Sequence, residues 1–337
     1  MIVLGIETSC DDTAAALLDS EASILANVVS SQDLIHQRFG GIVPELASRR
    51  HMESITLIVK ESLDLANLTL ADLDLISVTR GPGLLGSLLV GFSYAKSLSY
   101  TLGIPFVGVD HMAGHLLSVF LEDKAPSFPY IALIVSGGTT SLFKVEGYCQ
   151  FELLGATRDD AAGESFDKIA RYLQLGYPGG PVVSNRADQG NGTALSLPRA
   201  WLEEGSLDFS FSGLKTSTMN HCHRLKQQGG LAENQIDDTC ASFQQAVIDV
   251  LVEKTVKATQ VHGINSVVLG GGVSANSSLR QQMGRRCAAD GLSLYLPAVE
   301  NCTDNGAMIA FAGLQQFLGG DKGSLSDDVY SRSPLGR

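Results

Sequence analysis

His111 and His115 stand four residues apart in the run Asp110-His111-Met112-Ala113-Gly114-His115-Leu116. On a helix that spacing sends both imidazoles from one face, one turn apart, which is half of a metal site. The competing reading is two histidines at chance spacing. Met112 stands where a zinc protease carries its glutamate base, so the pair is not that motif. Asp304, in Cys302-Thr303-Asp304-Asn305-Gly306, is the candidate third ligand. Two imidazoles and a carboxylate suit Fe2+ or Zn2+ and leave coordination positions open for substrate. Strand alternation puts Ile134 and Ser136 on one face, which makes Ser136 a further, weaker candidate ligand.

Three glycine loops could close on phosphate. Ser136-Gly137-Gly138 can bring its N–H groups to an anion because no Cβ intrudes, although a plain β-turn reads equally well. Pro178-Gly179-Gly180-Pro181 precedes a predicted helix. Gly270-Gly271-Gly272-Val273-Ser274-Ala275-Asn276 follows a buried strand and opens a helix, a strong context for a nucleotide. It lacks both the spacing of a dinucleotide fingerprint and the lysine of a P-loop. Among carboxylates, Asp11 and Asp12 fall in a hairpin turn, and Glu164 and Asp167 share a helical face. An acid beside a nucleotide often accepts ribose hydroxyls, and each of these also reads as a solvated charge. Cys10 and Cys302 flank these motifs and are candidate thiolates, against the commoner role of a small buried residue.

The elements that must hold these residues follow from periodicity. Ile2 to Thr8, Thr13 to Leu18 and Ile24 to Ser30 read as strands, and Pro44 to Leu63 as a helix with proline in its first turn. Leu73 to Thr79 and Pro105 to Val109 are predicted strands, with a helix over Leu84 to Leu102 between them. The histidine helix runs from His111 to Phe120. Tyr130 to Val145 is strand, polar glycine turn, strand, and echoes Ile2 to Leu18 about 130 residues earlier, so a duplicated lobe is expected. Helices dominate from Ala161 to His262, Ser266 to Leu269 is a buried strand, and Thr303 to Leu318 is a closing helix. The expected division is an N-terminal lobe over 1–110, with the helix at about 303–320 packing back on it. A C-terminal lobe with a helical insertion over 111–302 and a loose tail over 321–337 complete it. Repeated strand hairpins with helices between them make an α/β protein with a ligand cleft between lobes.

Bulk properties narrow the class. The chain has 337 residues, 44% of them hydrophobic and 18% charged, with 36 glycines: a folded protein with many tight turns. No apolar run reaches the roughly 18 residues of a membrane span, and the first residues read as a strand rather than a leader. Six scattered cysteines without a CxxC pair favour a reducing, cytoplasmic setting. A net charge of −12 argues against broad non-specific nucleic-acid binding. It leaves room for a local patch, with Arg49-Arg50 and the Arg158, Lys168, Arg171 group as candidates.

Several long strings occur together in one order: Gly5-Ile6-Glu7-Thr8-Ser9-Cys10-Asp11-Asp12-Thr13, Gly41 to Arg49, Gly81-Pro82-Gly83-Leu84, His111 to His115, Val135 to Gly138, Asp208 to Thr216, Gly270 to Asn276 and Cys302 to Met308. Over roughly residues 1 to 318 the chain resembles the tRNA N6-adenosine threonylcarbamoyltransferases, a family once called O-sialoglycoprotein endopeptidase, and most closely its bacterial members. The resemblance implies a two-lobed actin/sugar-kinase/Hsp70-like fold. It implies transfer of a threonylcarbamoyl group from threonylcarbamoyl-AMP to N6 of adenosine 37 in tRNAs reading codons that begin with A, with release of AMP. It implies one metal, most often iron, on His111, His115 and Asp304, and an adenylate pocket lined by Ile134, Val135, Ser136, Gly137, Gly138, Asp167, Gly180 and Asn276. It also implies two partners, a smaller paralogue docking on the N-terminal lobe and a small P-loop ATPase. Two departures stand out. Thr139 replaces a histidine of most relatives, and Ile134 replaces a tyrosine ligand of archaeal ones, whose place Ser136 or water would fill.

On this reading the Gly137 and Gly138 N–H groups hold phosphate and Asp11 is the candidate general base or orienting acceptor. The helix from Glu45 to Leu63 is a possible docking face or a plain core helix. Three other classes compete: a small-molecule kinase of the same superfamily, which has no use for the histidine pair; a metalloprotease, which lacks its base; and a nucleotide-binding scaffold without catalysis.

Overall fold

The computed structural model describes residues 1–227 and 230–335. In chain order its first elements are β1 (Val3–Glu7), β2 (Thr13–Leu18), β3 (Ile24–Ser30), α1 (Asp33–His36), α2 (Pro44–Ala66), β4 (Leu75–Gly81), α3 (Leu85–Leu102), β5 (Phe106–Asp110) and α4 (His111–Leu117). Then come β6 (Tyr130–Val135), β7 (Thr140–Gly147), β8 (Gln150–Ala156), α5 (Ala162–Leu173), α6 (Gly179–Ala187), α7 (Ser212–Gln227), α8 (Glu233–His262), β9 (Ser266–Gly270), α9 (Ser277–Ala289) and β10 (Ser293–Tyr295). The short α10 (Val299–Cys302) and α11 (Gly306–Leu318) close the series.

The strands form two five-stranded sheets, ordered β3-β2-β1-β4-β5 and β8-β7-β6-β9-β10. The two orders are the same pattern used twice, as the echoing hairpins predicted. In the first sheet β1 pairs antiparallel with β2 and parallel with β4, so the sheet is mixed. In the second, β9 lies parallel to both β6 and β10. No helix among the described residues is long and apolar enough to cross a membrane.

Two compact units result. One comprises Met1–Phe128, Val145–Phe151 and Pro297–Arg337, the other Pro129–Lys144 and Glu152–Leu296. The histidine helix α4 thus belongs to the first unit, whereas the sequence boundary at residue 111 put it with the later residues. The reason is packing: α4 follows β5 directly and rests on α11. The described part of the tail, 321–335, is also not loose. Gly323 N–H donates to Phe106 O at 2.8 Å and Tyr330 N–H to Arg80 O at 3.1 Å, while Val329 packs among apolar residues. A glycine- and serine-rich composition hid contacts that run through the backbone.

Strand alternation sorts the core of the first unit. Leu4, Ile6, Leu17 and Val78 face α2 and α3 with Ile55, Val59 and Phe92, and Val3, Leu18, Leu75 and Val109 face α11 with Met308, Ile309 and Phe311. The α11 side is unusually tight. A Cβ on Gly5 would lie 2.6 Å from Ala310 N, and one on Gly306 would lie 2.5 Å from Ala16 N. A Cβ on Gly313 would lie 2.5 Å from Ser77 Cβ. Glycine is required here for close approach, so helix backbone lies against strand backbone. In the second unit Ile131, Leu133 and Val135 pack with Phe166, Phe209, Phe243 and Val247 into one apolar cluster.

Gly5→Ala should therefore cost about 3 kcal/mol, because neither backbone can move without shifting the whole interface. Gly137→Ala, where an added Cβ meets nothing within 4 Å, serves as the neutral control. Urea unfolding of the two variants should separate their midpoints; coincident midpoints would contradict the close-approach argument.

Candidate metal centre

The two histidines arrive on α4 as the spacing predicted. Asp110, the last residue of β5, caps the helix by accepting Met112 N–H on Oδ1 at 2.9 Å. Gly114, between the histidines, lets α4 approach α11: a Cβ there would sit 2.9 Å from Ile309 Cδ1. Asp304 arrives from the other side. Asn305 caps α11 by accepting Met308 N–H at 2.9 Å and donates to Thr303 O at 2.8 Å, so the turn holding Asp304 is bound at both ends.

These supports bring three side chains together. His115 Nε2 lies 3.1 Å and His111 Nε2 3.5 Å from Asp304 Oδ1. The ring centroids are 4.7 Å apart with planes at 85°. One ligand atom from each residue falls within 4.8 Å of the others. His115 Nδ1 is buried without a hydrogen-bond partner, and both Nε2 atoms point at one carboxylate. Converging imidazoles and a carboxylate are the donor set of a two-histidine, one-carboxylate centre, so the residues fit a divalent ion. Ser136, the further candidate ligand, lies in the other unit.

A residue given no role from sequence completes the arrangement. Glu7 is fully buried at the end of β1, on the same face as Val3 and Gly5. Its Oε2 is 3.0 Å from His111 Nδ1 and accepts the Thr79 hydroxyl at 2.5 Å, and Oε1 accepts Ser9 N–H. The Ser9 hydroxyl is a second neighbour of His111 Nδ1, at 3.3 Å. A carboxylate behind a ligating imidazole sets its tautomer and bearing, here directing Nε2 toward Asp304. The signal was present in the sequence: an acid closing an apolar strand.

The charges are interdependent. Burial pushes the Asp304 carboxyl up, but His111 and His115 outweigh it and hold the carboxyl at about 2. Burial opposes a charged His111, yet Asp304 and Glu7 carry its pKa up to about 9. Glu7 is pushed up by burial and brought below its ordinary value by His111.

The turn after β1 lies beside this centre. His51 of α2 pins it, with Nδ1 2.8 Å from the Thr13 hydroxyl and Nε2 3.0 Å from Cys10 O. Ser87 of α3 donates to the same carbonyl at 3.1 Å. Burial, then Asp304 and Asp33, raise the Asp11 carboxyl above its ordinary value. Burial, then Asp304 and Asp11, carry Asp12 to about 8, so it is largely protonated at neutral pH and a strong proton acceptor only in its ionised form. Burial and the neighbouring Asp11 raise the Cys10 thiol, so it is no ready thiolate. Cys302 is buried and donates to Ala298 O at 3.3 Å.

The candidate adenylate residues lie in the second unit, joined by a chain of contacts. Ser136 to Thr139 is a tight turn closed by Ser136 N–H to Thr139 O at 2.8 Å, with Gly137 and Gly138 exposed. Cβ atoms on Gly163 and Gly271 would each meet this segment at 2.5 Å, at Ser136 O and Val135 O. Asp167 Oδ1 accepts Gly179 N–H at 2.7 Å, ahead of Gly180, where a Cβ would meet nothing within 4 Å. Asn276 caps α9 by accepting Leu279 N–H at 2.9 Å and donates to Ser184 of α6 at 3.3 Å. Ile134 and Val135 are fully buried and present no side-chain surface. Four of the five basic residues singled out from sequence form ion pairs: Arg49 pairs with Glu45, Arg50 with Glu53, Arg158 with Glu203 and Asp208, and Lys168 with Asp160 and Glu164.

A pH dependence follows. The folded pKa of His111, about 9, exceeds its ordinary 6.5, so its contribution to the metal-free fold is full below 6.5 and lost as pH rises through about 9. A divalent ion must displace that proton, so Zn2+ uptake should tighten by up to about tenfold per pH unit over the same window. Calorimetric titrations of the stripped chain across this range test it; a pH-independent affinity contradicts the assignment.

The family model described as TsaD, tRNA N6-adenosine threonylcarbamoyltransferase, matches residues 23–311. The protein of that name from Desulfotalea psychrophila is 56% identical over 337 residues, covering 100% of this chain and 98% of its own length. Among solved structures, HypF from T. kodakarensis superimposes with a TM-score of 0.62 at 16% identity, over 95% of this chain and 48% of HypF. Component A of the Acidaminococcus fermentans (R)-2-hydroxyglutaryl-CoA dehydratase does so with a TM-score of 0.52 at 15% identity, over 94% of this chain and 98% of its own. These likenesses identify the fold as the actin/sugar-kinase/Hsp70-like one. Matched along its length and carrying a histidine–carboxylate centre built by its own motifs, the chain belongs to the tRNA N6-adenosine threonylcarbamoyltransferases, transferases that modify tRNA.

Proposed function

We propose that the chain transfers the threonylcarbamoyl group from threonylcarbamoyl-AMP to N6 of adenosine 37 in tRNAs reading codons that begin with A. The observation that carries this reading is the convergence of His111, His115 and Asp304, with Glu7 behind His111. The ion these residues would hold is most consistent with Fe2+, with Zn2+ as the alternative, and when bound it supplies Lewis-acid polarisation of a carbonyl.

The nucleophile sets the demands on the protein. The N6 lone pair is delocalised into the adenine ring, so attack on the carbamoyl carbon wants a proton acceptor and a held leaving group. Asp11, whose carboxylate is made more basic by burial and by Asp304, takes the N6 proton as the new C–N bond forms. The carbamoyl–phosphate C–O bond breaks and AMP leaves. The exposed N–H groups of Gly137 and Gly138 hold its phosphate, and Asp167 and Asn276, with Gly180, hold its nucleoside.

The net charge of −12 fits poorly with a chain that grips tRNA alone. The reading therefore includes a cytoplasmic multi-protein assembly, with a smaller paralogue and a small P-loop ATPase. Met52 and Leu57 of α2 are 69% and 65% exposed and Leu85 and Leu89 of α3 are 50% and 46% exposed, which supports docking of the paralogue on these helices.

Two experiments test this. Nucleoside mass spectrometry of unmodified tRNA, incubated with this chain, threonylcarbamoyl-AMP and both partners, should detect N6-threonylcarbamoyladenosine. His111→Ala should abolish the signal, and Asp11→Asn should slow transfer at least ~100-fold with adenylate still bound. An unimpaired Asp11→Asn beside a slowed Asp12→Asn moves the base by one residue. Second, Met52→Glu with Leu85→Glu should remove stimulation by the paralogue and leave adenylate binding intact; retained stimulation places the partner elsewhere.

A further inference from the structure

The Asp110 carboxylate that caps the histidine helix is completed from the far end of the chain. Asp110 is 4% exposed. One of its oxygens accepts Met112 N–H; the other accepts the Tyr330 hydroxyl at 2.8 Å and the Ser333 hydroxyl at 2.8 Å. Both hydroxyls come from the segment after α11, more than 200 residues away in sequence.

That segment is strapped down along its length. Lys96 of α3 donates to Asp327 O, and Arg80 donates to Asp328 O at 2.7 Å while its guanidinium lies 5.9 Å from the Tyr330 ring centroid. The ring fits because residue 81 is glycine: a Cβ there would lie 2.7 Å from Tyr330 Cε2.

We propose that residues 323–335 are a positioning strap for the metal centre, and that the Tyr330 and Ser333 hydroxyls set the bearing of His111 and His115 through Asp110. A helix of seven residues has little orientational stability of its own, so its direction depends on its cap and on what it rests against. With both hydroxyls gone, a buried carboxylate oxygen loses its donors and turns toward other partners, taking the first turn of α4 with it. The proposal rests on the metal reading of the site.

The test uses the full chain, stripped with a chelator, in wild-type form and as the Tyr330→Phe, Ser333→Ala double variant, which keeps the ring over Gly81. Zn2+ affinity is measured by calorimetry, and the visible spectrum of the Co2+-loaded chain reports ligand geometry. The expected result is about tenfold weaker Zn2+ binding and shifted Co2+ bands, with the melting temperature of the metal-free chain little changed. Lys96→Ala loosens the strap away from Asp110 and should bind Zn2+ as the wild type does. Unchanged affinity and spectrum in the double variant overturn the proposal. Equal weakening by Lys96→Ala also overturns it, since general loosening would then suffice. Should the double variant not fold, the two single variants carry the same comparison. A wild-type chain that takes up no Zn2+ overturns the metal reading, and the strap's role with it.

Discussion

The structure of the first unit depends on one close approach. α11 lies with its backbone against β1, β2 and β4 because Gly5, Gly306 and Gly313 offer no Cβ at the contact. Side chains of ordinary size would lift the helix away from the sheet and carry Asp304 with it. The same seating lets α4 rest on α11 at Gly114, between the two histidines. The ligand set is therefore a by-product of how closely a helix sits on a sheet, and glycine content that looked like turn propensity is in part a packing device.

Electrostatics explain why this junction suits a cation. Glu7 and Asp304 flank a single imidazole, His111, which holds both carboxylates ionised. Asp11 and Asp12 add acid groups beside them, and both are pushed upward by burial and by Asp304. A divalent ion in this place would offset negative charge that one histidine proton only partly balances. The pinning of the Cys10 carbonyl by His51 and Ser87 keeps this acidic turn in place against its own repulsion.

The second unit solves a different problem with the same topology. Its hairpin turn leaves Gly137 and Gly138 exposed, while Gly163 packs the start of α5, and Gly271 the loop after β9, against the strand end at distances no side chain allows. Asp167 and Asn276 spend part of their hydrogen-bonding capacity holding Gly179 and the start of α9. Residues read from sequence as ligand contacts are thus also supports of the loops that carry them.

Much of this was legible in the chain itself. Histidine spacing on a short helix, the closing helix after Asp304 and the repeated hairpin are local patterns, and local patterns survive folding because they depend on neighbours a few residues away. Family motifs in their shared order made the class of chemistry readable from the residues alone. Other features were decided only in three dimensions. Glu7 looked like the polar end of a strand and became the partner of His111 because β1 and β5 sit on either side of β4. The tail looked loose because many of its contacts are made by backbone groups and two hydroxyls, which composition does not reveal. The basic residues looked like a possible patch until their acidic neighbours were placed beside them. In each case the deciding partner lies far away in sequence, and only the packed structure brings it within hydrogen-bonding distance.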